Sequence, residues 1–432
     1  MSKKTINIGL IGFGNVGQGM YEILSTRATE MTQRLGAELC IKGIVVRAPS
    51  RYAGVDHGDI PLHTDANALI NDADIDIIVE VIGGEYPAHD FISAALKAGK
   101  YVVTANKEVI AKHQAHFFEL ARANGVDIYF EAAVAASIPI IRSFKIGYAA
   151  SQIQSLAGIL NGTTNYILTK MEQEDMALDA AIKQAQDLGF AEADPTMDIS
   201  GLDAAYKLQI LAAVAFKQAI SMDDISYRGI EEVQSVDMDY ATELGYRIKL
   251  LAVAQLDDKG RTSYRVHPAF ISTKHPLAAV HNEFNAVYTE GSAMGEAMQY
   301  GAGAGPLATG SAVVSDICDI AFTILSGANT GTQRNIESPS ADAALCPIEE
   351  TVSAFYLRLQ VQDRCGALES ITHILGEHQI SIAKIVQKEL DEDTAELVLI
   401  SHETQDAVLR KSIKKIEELD AVRAVAATYR IV

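Results

Sequence analysis

Ile6-Asn7-Ile8-Gly9-Leu10-Ile11-Gly12-Phe13-Gly14-Asn15-Val16-Gly17 is the stretch from which the fold is read. Ile6 to Ile11 is a short apolar run, and a helical pattern follows from Val16 through Leu24. Between them lies G-x-G-x-x-G. Its glycines permit a tight turn and let a pyrophosphate approach free amides at a helix N-terminus. Set between strand and helix, the loop predicts a dinucleotide-binding domain with Gly12, Phe13, Gly14, Asn15, Val16 and Gly17 at the cofactor. The competing reading is a turn whose glycines only let the helix pack close to the strand.

Further βα units work outward from it. Leu39 to Val46 reads as the second strand and empties into Arg47-Ala48-Pro49-Ser50-Arg51. A site selective for NAD places an acid near that point to hold the ribose 2′-hydroxyl. Arg47 and Arg51 suit a 2′-phosphate instead, so NADP is expected beside NAD, unless both are merely solvated. Asp76 to Ile82 is a buried-type strand, a helix spans Ala88 to Ala98, and Tyr101 to Thr104 is a strand running into Ala105-Asn106-Lys107. Ligands of open α/β sheets lie beyond the carboxyl ends of the strands, which puts Thr104, Asn106 and Lys107 near nicotinamide or substrate. Lys107 could equally be a solvated first-turn residue of the helix Glu108 to Ala123. Asp127 to Glu131 is a further strand.

The alternation then changes. Strand Ile153 to Ile159 ends at Asn161-Gly162-Thr163-Thr164-Asn165, whose amides and hydroxyls can bind a ligand. Helices Tyr166 to Glu174 and Leu178 to Leu188 precede a turn carrying Glu192, Asp194 and Asp198. A helix from Leu202 to Phe216 follows, apolar except for Asp203 and Lys207. These two are four residues apart and share a face, with the acid N-terminal to the base. Burial would lower the lysine's pKa and prepare it for proton transfer. A structural ion pair in a core helix is the plainer alternative. Strands Arg247 to Leu256 and Ser263 to Ile271 belong to this second unit. Tyr300 to Pro306 is glycine-rich and leads into a helix from about Thr309 to Leu325, and Ser326 to Ser338 reads as a linker or mobile loop.

The last eighty or so residues alternate β-α-β-β-α-β: Phe355–Val361, a helix to His378, Ile380–Gln387, Ala395–Ser401, Gln405–Leu419 and Val422–Ile431. This is a separate ferredoxin-like unit without a catalytic cluster, regulatory or serving assembly.

Composition agrees. The chain has 432 residues, 48% hydrophobic and 21% charged, enough for two or three domains with real cores. No apolar run approaches the ~20 residues of a membrane helix, and a strand-like run follows Met1 to Thr5 so closely that no signal peptide fits. Cys40, Cys318, Cys346 and Cys365 lack metal-site spacing and suit reduced thiols in a cytoplasm. A net charge of −20 argues against nucleic-acid and anionic-membrane partners.

Together, Gly12 to Gly17, Val103-Thr104-Ala105-Asn106-Lys107, Ile159 to Leu168 and Ala191 to Leu208 resemble the homoserine dehydrogenases, and the last unit resembles an ACT domain. The resemblance spans nearly the whole chain. It implies a doubly wound Rossmann-type domain over 1–132, with about 305–345 returning to it. An α+β catalytic and dimerisation domain over 133–304 and an ACT domain over 353–432 would follow. The implied reaction is the NAD(P)-dependent interconversion of L-aspartate 4-semialdehyde and L-homoserine, supplying threonine and methionine synthesis.

Carried onto this chain, the resemblance puts Lys107 and Lys207 at the reacting carbonyl, with Lys207 as acid/base. Asp203 would orient both substrate and Lys207. Glu192 would bind the substrate ammonium, Asp198 would assist, and Thr163 and Gly303 would line the substrate and cofactor sites. A sodium ion would sit on backbone around Glu131, Val134, Ala136 and Ile138. The assembly would be a homodimer or homotetramer, with threonine as effector of the ACT unit.

The chain departs from the family pattern in three places: Ala136-Ser137 replaces Gly-Gly before Ile138-Pro139, Gly301 to Gly310 differs in detail, and Cys365 replaces a proline before Gly366. Two other readings stay open, a related amino-acid oxidoreductase with another substrate and a non-catalytic amino-acid sensor.

Overall fold

The structure, a computed structural model, describes residues 5–327 and 344–432. Most of the linker read at Ser326 to Ser338 lies outside the described residues. The chain opens with β1 (Thr5–Ile11), α1 (Asn15–Thr26), α2 (Ala28–Leu35) and β2 (Glu38–Val45). Then come β3 (Leu62–His63), α3 (Asn67–Ile70), β4 (Ile77–Glu80), α4 (Ala88–Lys97), β5 (Tyr101–Thr104), α5 (Lys107–Ala123) and β6 (Ile128–Tyr129). The six strands are parallel in the order β3-β2-β1-β4-β5-β6, a Rossmann-type sheet that reverses between β1 and β4. Ile6, Ile8, Leu10, Ile77 and Val79 are wholly buried, because helices cover both faces and the strands need apolar runs.

The second unit contains α6 (Ile140–Arg142), β7 (Ile153–Ile159), α7 (Gly162–Glu174), α8 (Leu178–Asp187), α9 (Thr196–Ile199) and α10 (Leu202–Ala215). It continues through β8 (Ile225–Tyr227), α11 (Ser235–Leu244), β9 (Tyr246–Leu256), β10 (Thr262–Ser272), β11 (Phe284–Gly291), β12 (Gly295–Ala302) and α12 (Pro306–Ser326). α7 starts four residues before the reading from sequence, because the Asn161 side chain caps it by accepting from Thr164 N–H at 2.8 Å. α12 has 21 residues, long and apolar enough to cross a bilayer, which corrects the reading that no such run exists. That apolar surface is used in the core: Val313, Ile317 and Ile320 are buried with Ile6, Ile8 and Leu10. Gly19 on α1 and Gly310 on α12 let the two helices touch, since a Cβ on Gly19 would come 2.1 Å from Pro306 O.

The C-terminal unit is β13 (Val352–Gln362), α13 (Ala367–Glu377), β14 (Ile382–Asp391), β15 (Thr394–Ser401), β16 (Thr404–Gln405), α14 (Asp406–Glu417) and β17 (Val422–Ile431). Its order is β-α-β-β-α-β apart from the two-residue β16. The unit does not stand apart. One sheet runs β12-β11-β7-β9-β10-β17-β13-β15-β14, and β10 joins β17 through Ala269↔Arg430 and Phe270↔Ile431. Behind the join, Arg358 is buried between Asp237 (Nε to Oδ1, 2.7 Å) and Glu396 (Nη1 to Oε1, 2.9 Å). Tyr356 and Tyr429 also donate to Asp237, at 3.0 and 3.2 Å.

Candidate active site

Three strand or helix ends converge on one buried carboxylate. Lys107 is the first residue of α5, set there because Asn106 caps the helix by accepting from Val109 N–H at 3.2 Å. Asn106 is fixed in turn by donating to Gly84 O at 2.7 Å, and its own N–H donates to Thr104 Oγ1 at 3.0 Å. Thr104 donates to Glu80 at the end of β4, whose carboxyl is pushed up by burial. The Rossmann strands therefore aim Lys107 outward, as their carboxyl ends should.

Asp203 and Lys207 lie on α10, as their spacing requires. Lys207 Nζ is 2.8 Å from Asp203 Oδ2 and donates to Leu160 O at 2.6 Å. Lys107 pairs with the other oxygen of Asp203. Asn161, at the end of β7, donates to Asp203 Oδ2 at 2.8 Å and Asp198 Oδ1 at 2.7 Å. Asp203 is 2% exposed; burial alone would raise its pKa, but Lys207 and Lys107 hold it well below the usual carboxylate range. Burial lowers Lys207 despite the pull of Asp203. On Lys107 burial acts the same way, but Asp203, Asp198 and Glu192 outweigh it and raise its pKa. Burial and the Asp203 charge push Asp198 up.

Two lysines thus share a carboxylate yet titrate in opposite directions. Among the described residues Lys207 uses two of its three N–H groups, on Leu160 O and Asp203, which leaves one for a ligand.

Other predicted positions sort by place. Glu192 is exposed on the turn beside this cluster, close enough for its charge to act on Lys107. Thr163 donates to Phe190 O at 2.6 Å and so holds that turn against α7. Gly303 lies against the Asn285 amide, which donates to Leu160 O at 3.1 Å. Asn285 and Glu80 carry the site yet escape a reading from sequence. Asn285 sits in an unrecognised strand, while the one signal for Glu80 is that it is the lone carboxylate inside the apolar run Ile77 to Ile82.

The glycine loop has the shape a pyrophosphate needs. Gly14, which precedes α1, has open space where a Cβ would stand, whereas a Cβ on Gly17 would come 2.4 Å from Gly12 O. Val16 follows Asn15, the first residue of α1. Phe13 is buried among Tyr21, Tyr52 and His57, and its carbonyl accepts from Gln18 Nε2 at 2.9 Å, which holds the loop against α1. Arg47 and Arg51 are exposed beyond β2, and among the described residues neither pairs with a carboxylate.

Glu131, Val134, Ala136 and Ile138 form a buried loop in which Ala135 and Ala136 take φ of 56° and 40°. Glu131 accepts N–H groups of Ile141 and Arg142, both at 2.8 Å, and burial pushes its carboxyl up to about 7.

Comparison with known proteins agrees with this geometry. The homoserine dehydrogenase family model matches residues 139–318, its NAD-binding domain residues 12–131, and the ACT domain residues 355–421. The chain is 37% identical to the homoserine dehydrogenase of Bacillus subtilis, covering 99% of this chain and 98% of that one. It is 38% identical to that of Pseudomonas aeruginosa, covering 99% of both. The crystal structure of a homoserine dehydrogenase from Thiobacillus denitrificans superposes with a TM-score of 0.95 at 40% identity, over 100% of this chain and 99% of that one. A hyperthermophilic archaeal homoserine dehydrogenase in complex with NADPH superposes with a TM-score of 0.62 at 30% identity, over 72% and 96%. With a Rossmann sheet, two lysines gathered on a buried aspartate at its ligand edge and matches that span the chain, this protein belongs to the homoserine dehydrogenase family, whose members are NAD(P)-dependent oxidoreductases.

Proposed function

We propose that the chain interconverts L-homoserine and L-aspartate 4-semialdehyde with Lys207 as the acid/base, in the cytoplasm, serving threonine and methionine synthesis. The observation that carries this is the pairing of Asp203, buried on α10, with lysines from both units of the fold.

Gly12, Gly14, Asn15, Val16 and Gly17, with Thr104 and Asn106, would hold the nicotinamide cofactor, which would supply or accept the hydride. Lys207 gives a proton to the forming alkoxide in reduction and takes it back in oxidation. Asp203 keeps both ammonium groups in place, and Asn161 keeps Asp203 in place. Lys107, more exposed and held charged, polarises the carbonyl or takes the substrate carboxylate. Glu192 and Asp198 receive the substrate ammonium, while Thr163 and Gly303 shape the pocket around it. Arg47 and Arg51 favour NADP by bidentate contact with a 2′-phosphate.

A sodium ion fits the loop at Glu131, Val134, Ala136 and Ile138. The buried carbonyls of Val134 and Ala136 accept no hydrogen bond among the described residues, whereas those of Glu131 and Ile138 already accept from Val134 and Ile140. Buried carbonyls need a partner, and an all-oxygen set suits a hard cation.

Threonine is the proposed effector of the ACT unit. Gly366, at φ +87°, opens the eleven-residue α13, whose free amides suit a carboxylate. The protein would act as a homodimer or homotetramer.

Absorbance of reduced nicotinamide, followed with homoserine and a panel of other hydroxy-amino acids, tests the assignment. Homoserine should be the preferred substrate, and a different preferred substrate would reject it. Loss of activity on millimolar threonine tests the effector.

A further inference from the structure

A cavity of about 320 Å³ opens where the C-terminal unit meets the catalytic sheet, among β8, β10, β17 and α14. Four arginines line it: Arg228, Arg265, Arg410 and Arg430. Arg265 and Arg430 are 4% and 8% exposed. A single carboxylate lines the cavity, Asp406, and Arg410 and Arg430 already share it. Among the described residues Arg228 has one carboxylate near it, Glu232, 3.8 Å away at the surface, and it donates to Thr428 O at 2.9 Å.

Among the described residues Arg265 has no carboxylate partner. Its Nη atoms donate to Ser263 Oγ and Gln255 Oε1, both at 3.1 Å. Its Nε is buried without a partner, and so is Nε2 of His267, which lines the same cavity.

Four guanidinium groups around one carboxylate leave a positive excess at a seam partly withdrawn from water. Such an arrangement is costly unless an anion completes it. Burial, then the nearby Arg430, lowers Arg265 to about 10, and burial also lowers Arg430. The volume is that of a small-molecule site, and guanidinium forks match carboxylate and phosphate oxygens.

We propose that this seam binds a small oxyanion, a carboxylate or a phosphate, held by Arg228, Arg265 and Arg430. The site is distinct from the turn at Gly366, which lines none of it. It also connects to the substrate turn. Arg228 N–H donates to Val266 O at 2.9 Å, and Ile230 N–H donates to Ile199 O at 2.7 Å. Between them, Gly229 is packed so tightly that a Cβ would come 1.7 Å from Ile199 O. Ile199 follows Asp198 directly in the chain, so an occupant that moves Arg228 moves the acidic turn and changes the KM for homoserine.

The test is calorimetric titration of the full chain with sodium phosphate and with sodium succinate, against sodium chloride at equal ionic strength. One oxyanion should bind per chain. Arg228→Gln and the exposed Arg410→Glu should each weaken it by about tenfold or more, with folding checked by circular dichroism. Tighter binding of phosphate identifies a phosphate ligand, and tighter binding of succinate a carboxylate. Binding no better than chloride, or binding undiminished in both variants, overturns the site. A homoserine KM that stays fixed when the oxyanion is saturating overturns its link to the substrate turn.

Discussion

Lys107 of the nucleotide-binding sheet and Asp203 of the catalytic unit form an ion pair across the two units, so the site exists only when they are docked. Substitution of Asp203 by Asn keeps the shape and removes the charge that gathers both lysines. It should lower kcat by about 10²-fold or more with the fold retained, as measured by steady-state kinetics beside circular dichroism. Unchanged kcat would make the pair structural.

The pH dependence has a definite sign. In homoserine oxidation Lys207 must be neutral to accept the proton, and burial lowers its pKa. The rate should therefore rise with pH and level off through an apparent pKa below the ~10.4 of a free lysine. Aldehyde reduction, which needs the charged form, should fall over the same range. Parallel profiles in both directions would contradict this.

Cofactor preference is tested at Arg47. Replacing it by Asp should weaken NADP far more than NAD, because a favourable contact becomes a repulsive one. Equal losses in KM for both cofactors would remove Arg47 from the 2′-phosphate.

Much of this was legible in the sequence. The parallel sheet declared itself through apolar runs and the G-x-G-x-x-G loop, and Asp203 with Lys207 through their spacing on an apolar helix. Strands Ile153–Ile159 and Tyr101–Thr104 have the bounds read from sequence. The strands Phe284–Gly291 and Gly295–Ala302 were not seen, since their residues include Asn285, Glu290, Glu296 and several glycines that weaken any strand signal. Nor could local pattern reveal that Val422–Ile431 lies beside β10. That pairing depends on residues more than 150 positions apart, and the burial of Arg358 against Asp237 on residues 121 positions apart.

That burial carries its own prediction. Arg358→Met would leave Asp237 charged and short of its cationic partner in the core, at a cost of about 3–5 kcal/mol in urea unfolding. The double variant with Asp237→Ala should recover part of it. A single variant as stable as the parent would mean that the seam does not depend on the pair. For the same reason, cutting the chain after Pro347 would expose the β10 edge and strand Asp237, so regulation is better probed by point substitutions.

The most direct measurement is kcat for homoserine-dependent NADP reduction by Lys207→Ala, beside homoserine binding by the same variant. With Lys207 as the acid/base, kcat falls by about 10²-fold or more while homoserine still binds. Turnover near that of the parent enzyme would contradict the assignment and leave Lys207 a buried ion-pair partner.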